Sequence, residues 1–185
     1  MEGESSFLNP AKTLALAKVH EDSVVADFGA AGGFYTRAAA RLADGGTVWA
    51  VDANGELLSR IKSLALSEGL TNVEILRGNI ESPFGSGLPA EHFDLVIAAN
   101  ILFSAHNKTL LAREIRRVLK RMGRALVIDW TSSHAGLGPH ADHVVSEETA
   151  RKLFEDNGFG YIEAVPAGAY HWGFIVRKMT PKAAQ

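Results

Sequence analysis

VVADFGAAGGFYT, residues 24–36, runs from an apolar segment into a turn of small residues with three glycines, and a single acid, Asp27, sits inside the apolar part. A short apolar run rich in valine reads as a buried strand, and the alanine-rich FYTRAAARL over 34–42 reads as a helix. The stretch is therefore strand, glycine turn, helix. Two readings of the turn stay open at this point. Glycine is favoured at any tight bend between strand and helix, and it also lets a ligand approach the main chain and the unpaired N–H groups of a helix N-terminus.

Outward from this unit the alternation repeats. GGTVWAVDA supplies a strand over 47–51, and Leu57, Leu58, Ile61, Leu64 and Ala65 recur at helical spacing within 56–66. Strands follow over 73–76 and 93–98, then a long amphipathic helix over 108–121 and, after a stop at Gly123, a strand over 124–129. Upstream, Asn9-Pro10 reads as a cap and first position for a short helix over 11–19. Strands separated by helices pair in parallel through right-handed crossovers, so an α/β doubly wound sheet covered on both faces is expected. The end of the chain breaks the rhythm. A helix over 147–157 stops at Gly158, and YIEAVPAGAYHWGFIVRK then offers two strands joined by a short turn around Pro166 to Ala169. Strands joined so tightly are antiparallel, which makes seven strands in all. No internal repeat or linker divides residues 1–185, so one domain is expected.

Composition narrows the function classes. Hydrophobic residues are 46% and charged residues 22% of 185, with 19 basic against 21 acidic side chains and a net charge of −2. The basic residues Arg113, Arg116, Arg117, Lys120, Arg121 and Arg124 recur at helical spacing, which favours a solvated helix face over a nucleic-acid patch. Cysteine is absent, which excludes disulfides, thiolate nucleophiles and cysteine-ligated metals. No apolar run approaches the ~20 residues of a bilayer span, and MEGESSFLNP is too acidic and polar for a signal sequence, so a cytoplasmic protein without a membrane partner is expected.

In a doubly wound sheet, ligands sit beyond the carboxyl ends of the strands. Four consecutive strand ends carry a polar or glycine feature there. The first is the glycine turn. The second is Asp52, placed either to accept both hydroxyls of a ribose or to cap the helix that begins near Asn54. The third is Asn79 in RGNIES, and the fourth is Asn100 in AANILF.

With VVADFGAAGG, VWAVDAN, GNIE, FDLVIAANIL and REIRRVLKRMGRALVIDW in this order before a terminal hairpin, nearly the whole chain resembles the class I, seven-stranded S-adenosylmethionine-dependent methyltransferases, near the quinone- and arsenite-type small-molecule enzymes. The resemblance implies a three-layer Rossmann-like fold with strand order 3-2-1-4-5-7-6 and strand 7 antiparallel. It implies that the main chain of Gly29, Ala30, Ala31 and Gly33 holds the methionine part of S-adenosylmethionine, with Asp27 near its ammonium. Asp52 would take the ribose hydroxyls, Ala53 and Ile80 would flank adenine, Asn79 would face its amine, and Asn100 would line the methionine side. SSFLNP is similar to the segment that folds over the cofactor in those relatives. The family's usual middle glycine is replaced by Ala31, where φ is expected to stay negative. A nicotinamide-dependent oxidoreductase fits less well: Gly29, Ala31 and Phe34 stand where G-x-G-x-x-G needs glycine, and Asp27 would repel a pyrophosphate. A non-catalytic binder of the same cofactor is the other alternative.

An activated sulfonium methyl leaves the protein mainly to align the reactants, and a hydroxyl or ammonium acceptor adds the need for a base. IDWTSSHAGLGPHADHV holds the candidates Asp129, His134, His140, Asp142 and His143, with Asp129 and His134 foremost, in a segment long enough to close over a substrate. His140 and His143 lack an evident third ligand, so no metal is expected. Trp130, Phe7, Phe34, Tyr35 and Phe103 belong to the core or to the pocket wall. The fourth strand ends AANI rather than in the Asn/Asp-Pro-Pro-aromatic tetrad of enzymes that methylate planar nitrogens, and arsenite chemistry needs the missing cysteines. No basic arm for nucleic acid is present. A small-molecule acceptor remains, with monomer or homodimer both open.

Overall fold

The computed structural model describes residues 8–133 and 138–180. Its strands are β1 (Val24–Phe28), β2 (Thr47–Asp52), β3 (Val73–Arg77), β4 (Phe93–Ala99), β5 (Leu119–Trp130), β6 (Phe159–Ala164) and β7 (His171–Lys178). Its helices are α1 (Pro10–Leu16), α2 (Phe34–Leu42), α3 (Gly55–Ser67), α4 (Lys108–Val118) and α5 (Glu147–Asp156). The sheet runs β3-β2-β1-β4-β5-β7-β6, parallel except that β7 lies antiparallel to both β5 and β6. This is the order and orientation implied by the family resemblance.

Strand alternation distributes the core over two faces. Val25, Ile97, Leu126 and Ile175 pack with Leu14 of α1, Ala39 and Ala40 of α2, and Leu58 and Ile61 of α3. Ala26, Val96, Val127, Phe174 and Val176 pack on the other face with Leu111 and Ile115 of α4 and Phe154 of α5. Small residues on the buried side of α2 let that helix lie close to β1 and β2. The polar cap read from the sequence is formed at α1, where the Asn9 side chain accepts from Lys12 N; at α3 the cap is Asn54, which accepts from Glu56 N and Leu57 N.

One boundary differs. The helix expected over 108–121 ends at Val118, and β5 begins at Leu119, five residues before the expected 124. Tertiary contacts override the helical pattern there. Leu119 is extended, its register partner is Phe93, and Lys120 reaches across to Asp94 at 2.8 Å. Several expected basic side chains are likewise tied into the fold: Arg113 donates to Asn157, Arg116 to the Met179 carbonyl, and Arg117 to Glu114.

Candidate functional site

Because β1 lies between β2 and β4 while the chain crosses to opposite faces around it, the rim beyond β1 is open. A cleft of about 480 Å³ occupies it, lined by Asp27, Gly29 to Gly32, Phe34 and Tyr35 from the first strand-to-helix unit, by Asn100 after β4, and by Trp130 and His171 at the ends of β5 and β7. The glycine turn is folded onto the sheet by Gly29 N and Ala30 N, which donate to the Val51 carbonyl at 2.8 and 3.3 Å. Gly29 takes φ +69°, and a Cβ on it would run into the Ile101 side chain, so the turn needs glycine at that position for both reasons. Ala31 also has positive φ, +45°, which corrects the expectation of a negative value. Its N–H is drawn toward Asp52, whose carboxylate accepts it at 3.2 Å, and that contact holds the residue in the left-handed region.

Asp27 is 3% exposed, a carboxyl buried at the base of this cleft. Burial pushes it up from its ordinary 3.8 to about 6, against the lowering effect of the Thr36 hydroxyl and N–H and with a further push from Asp52. The Thr36 hydroxyl donates to it at 2.6 Å. Next to the cleft, Asp52, Ala53, Asn54, Gly55, Glu56 and Arg77 line a more open hollow, linked to it by the Asp52 to Ala31 hydrogen bond. Asp52 also accepts from Asn54 N at 2.9 Å, while Asn54 itself caps α3, so the alternative of Asp52 as that helix's cap is replaced by a role at the rim. Gly78 N donates to the Asp52 carbonyl at 3.1 Å and holds the turn carrying Asn79 and Ile80 beside β2. Asn79 is exposed and its Oδ1 accepts from Glu81 N, and Ile80 is buried; neither is among the residues lining the cleft or the hollow. Gly33, at φ +69°, is the cap position of α2 behind the cleft lining.

Asn100 occupies the left-handed region at φ +56°, with its N–H donating to the Ile128 carbonyl at 2.8 Å. Its side-chain Oδ1 is buried and has no hydrogen-bond partner among the described residues. An orphaned buried acceptor in a cleft lining marks a place where a donor from a ligand is accommodated.

The acceptor side differs from expectation. Asp129 is fully buried, and its carboxylate accepts from Leu102 N (2.8 Å), Phe103 N (3.2 Å) and Trp130 N (2.8 Å). Burial pushes this carboxyl up, opposed by those three N–H donors and by Lys108. All of its acceptor geometry is directed at the main chain, so it braces the turn after β4. His134 lies outside the described residues. His140 and Asp142 are exposed and 3.3 Å from each other, and Asp142 and His143 border a separate hollow with Phe103 and Lys108. No group of three or more His, Cys, Asp or Glu side chains close enough to hold a metal occurs among the described residues. The residue that sequence reasoning missed is His171. It lines the cleft because β7 is antiparallel and brings its first residue, not its last, to the carboxyl rim beside Trp130, with ring centroids 4.3 Å apart. The terminal hairpin was legible in the sequence, and applying its direction to the rim would have found this histidine.

Comparison with known proteins agrees with this geometry. The family model described as "Methyltransferase domain" matches residues 26–127, more than half of the chain. The ubiquinone/menaquinone biosynthesis C-methyltransferase UbiE of Paraburkholderia phytofirmans is 32% identical over 120 residues, 64% of this chain and 48% of that protein. The chain thus spans about half the length of the curated relatives it matches. A SAM-dependent methyltransferase from Aquifex aeolicus superposes with TM-score 0.84 at 25% identity, over 93% of this chain and 90% of that one. The [4+2]-cyclase SpnF shares the fold at 17% identity with TM-score 0.76, over 92% of this chain and 80% of the cyclase. With the family matched from β1 through most of β5 and the sheet in the order that family has, the chain belongs to the class I S-adenosylmethionine-dependent methyltransferases of the methyltransferase-domain family.

Proposed function

We propose that this chain binds S-adenosylmethionine at the rim around β1 and transfers its methyl group to a small molecule held in the adjoining cleft. The observation that carries the reading is the sign of the lining. Asp27 and Asn100, whose buried Oδ1 has no hydrogen-bond partner among the described residues, line one cleft, Asp52 stands beside it, and no Lys or Arg lines it among the described residues. That set suits a ligand bearing an ammonium and a sulfonium, and it disfavours the pyrophosphate of a nicotinamide dinucleotide.

In this arrangement the main chain of Gly29, Ala30, Ala31 and Gly33 holds the methionine part, with Asp27 and Asn100 around its cationic end. Asp52 accepts the ribose hydroxyls, Ala53 and Ile80 flank adenine, and Asn79 faces its exocyclic amine. When bound, the cofactor supplies a methyl group already activated for attack, so the chain's work is alignment and exclusion of water. Asp129 serves as a positioning residue through the turn at Leu102 and Phe103. A small molecule rather than a nucleic acid fits the net charge of −2 and the internal pairing of Arg113, Arg116 and Arg117.

SpnF shares the fold under the name of a cyclase, so the fold alone does not decide the reaction. Calorimetry with S-adenosylmethionine, S-adenosylhomocysteine and NADH tests the binding half. Micromolar affinity for the two sulfur compounds, weakened about 10- to 100-fold in Asp52→Ala by the loss of two hydrogen bonds to a charged group, is expected. Absence of binding to both sulfur compounds refutes the reading. Incubation with methyl-labelled cofactor and a metabolite extract then separates an enzyme from a binder: label must appear in a small molecule.

A further inference from the structure

We infer that the amino end of the sheet holds a second ligand site, a basic cavity walled by Lys18, Arg121 and Arg124 that binds a compact phosphate-bearing anion. The inference goes beyond the methyl transfer proposed above and does not depend on it.

The six basic residues that recur at helical spacing in the sequence do not share one helix face. Arg113, Arg116 and Arg117 lie on α4 and are paired within the fold, whereas Lys120, Arg121 and Arg124 fall beyond Val118, in β5. The ladder between β4 and β5 steps from Phe93 and Leu119 to Leu95 and Arg124, so residues 120–123 bulge out opposite Asp94 alone. Met122 is left-handed in this bulge, at φ +64°. The bulge and Arg124 form one wall of a cavity of about 350 Å³, and the connection from α1 to β1, with Lys18 and Asp22, forms the other. The cavity borders Ser23, just before β1, whereas the cofactor cleft borders Asp27 and Gly29 at the far end of that strand, so the five residues of β1, about 17 Å, separate the two.

The lining of this cavity is unbalanced in charge. Lys120 lies 2.8 Å from Asp94, and the second oxygen of that carboxylate accepts from Val24 N at 2.9 Å, so this pair is closed. Lys18, Arg121 and Arg124 are then opposed only by Asp22, and none of the three has a hydrogen bond or ion pair among the described residues. Arg124 is also the register partner of Arg177 across β5 and β7, and no carboxylate pairs with either guanidinium among the described residues. Like charges directly opposite each other weaken a ladder, and an anion beside Arg124 offsets that repulsion. Lys18 follows the last turn of α1 at φ +60°, a position that glycine fills without strain. A lysine retained there contributes its charge to the cavity at the expense of the backbone.

The ligand class follows from the two walls. Guanidinium groups recognise phosphate and carboxylate through paired N–H donors. A phosphate group puts nearly two charges and three acceptor oxygens on one centre, which lets it meet Lys18 on one wall and the arginines on the other, whereas a single carboxylate carries one charge. The sign is opposite to that of the cofactor cleft, where no Lys or Arg is found among the described residues.

The test is calorimetry of the full chain with inorganic pyrophosphate as probe, at fixed ionic strength so that general screening is constant. Binding at one site with a Kd below about 1 mM is expected, with acetate at least tenfold weaker. Arg121→Gln and Lys18→Gly should each weaken pyrophosphate about fivefold or more, while Arg60→Gln, an exposed charge on α3, should change it less than twofold. Without the probe, Lys18→Gly should melt at the wild-type temperature or above it, which separates loss of the ligand from loss of the fold. No pyrophosphate binding by the wild type, equal binding of acetate, unchanged affinity in both cavity variants, or an equal loss in Arg60→Gln overturns the inference. Displacement of pyrophosphate by saturating S-adenosylhomocysteine would place the probe in the cofactor cleft and overturn it as well. Failure of S-adenosylhomocysteine to bind at all refutes the cofactor reading alone, and the cavity variants still decide this one.

Discussion

Replacing Asp27 by asparagine is expected to stabilise the ligand-free protein and to weaken its hold on the cofactor. Asp27 is 3% exposed, and burial pushes its carboxyl from 3.8 to about 6. The folded state therefore prefers the protonated acid. Stability from this group is fully present below 3.8 and is lost as pH rises through about 6. A displacement of that size corresponds to about 3 kcal/mol at neutral pH. Asparagine is neutral at every pH and keeps an oxygen that accepts from the Thr36 hydroxyl. Asp27→Asn should then gain roughly 2–3 kcal/mol near pH 8, or about 5–10 °C in melting temperature for a chain of this length, and almost nothing near pH 4. Urea unfolding at both pH values reads the difference directly. A gain independent of pH, or a loss near pH 8, refutes the account of a buried, uncompensated carboxylate. The same logic gives a second readout. A cationic ligand favours the ionised acid, so cofactor affinity of the wild type should rise as pH passes through about 6, and that rise should vanish in the variant.

Ala31→Gly should raise stability by about 0.5–1 kcal/mol, because release of an L-residue from positive φ exceeds the added flexibility of glycine in the unfolded chain. A lower melting temperature in this variant would contradict the +45° assigned to Ala31. Asp129→Asn places an amide N–H₂ against main-chain donors and should cost about 2 kcal/mol in urea unfolding through displacement of the Leu102 and Phe103 turn. A variant as stable as the wild type but without turnover would restore Asp129 as a base.

The layers of the fold were legible because periodicity and punctuation agreed. Strand 24–28 and helix 34–42 appear with the expected bounds, and the short Pro166 to Ala169 connection correctly fixed β7 as antiparallel. The C-terminal end of α4 was not legible, since Leu119 and Lys120 continue a helical pattern and are drawn into β5 by Phe93 and Asp94, more than twenty residues earlier. In the site, the first strand-to-helix turn announced itself through local composition. The surroundings of the acid at the end of β5 were not legible, because Asp129 has the chemistry of a base and only the folded chain shows that its carboxylate already accepts three main-chain N–H groups. His171 sits in an ordinary hairpin sequence, and its place at the rim is a property of the sheet rather than of its neighbours in the chain.

The insertion of β7 between β5 and β6 also has a consequence for biosynthesis. β5 carries the apolar run ALVIDW, and one of its edges is paired by residues 171–177 alone. On the ribosome, the chain must grow by about 40–50 residues beyond Trp130 before that edge is covered, a delay of roughly 2–10 s at ~5–20 residues per second. During that interval the nascent chain presents an unpaired hydrophobic strand edge of the kind that templates aggregation. Engineered changes in the terminal hairpin will therefore act on soluble yield before they act on the folded enzyme, and a chaperone-rich expression host should recover them where a stabilised core would not.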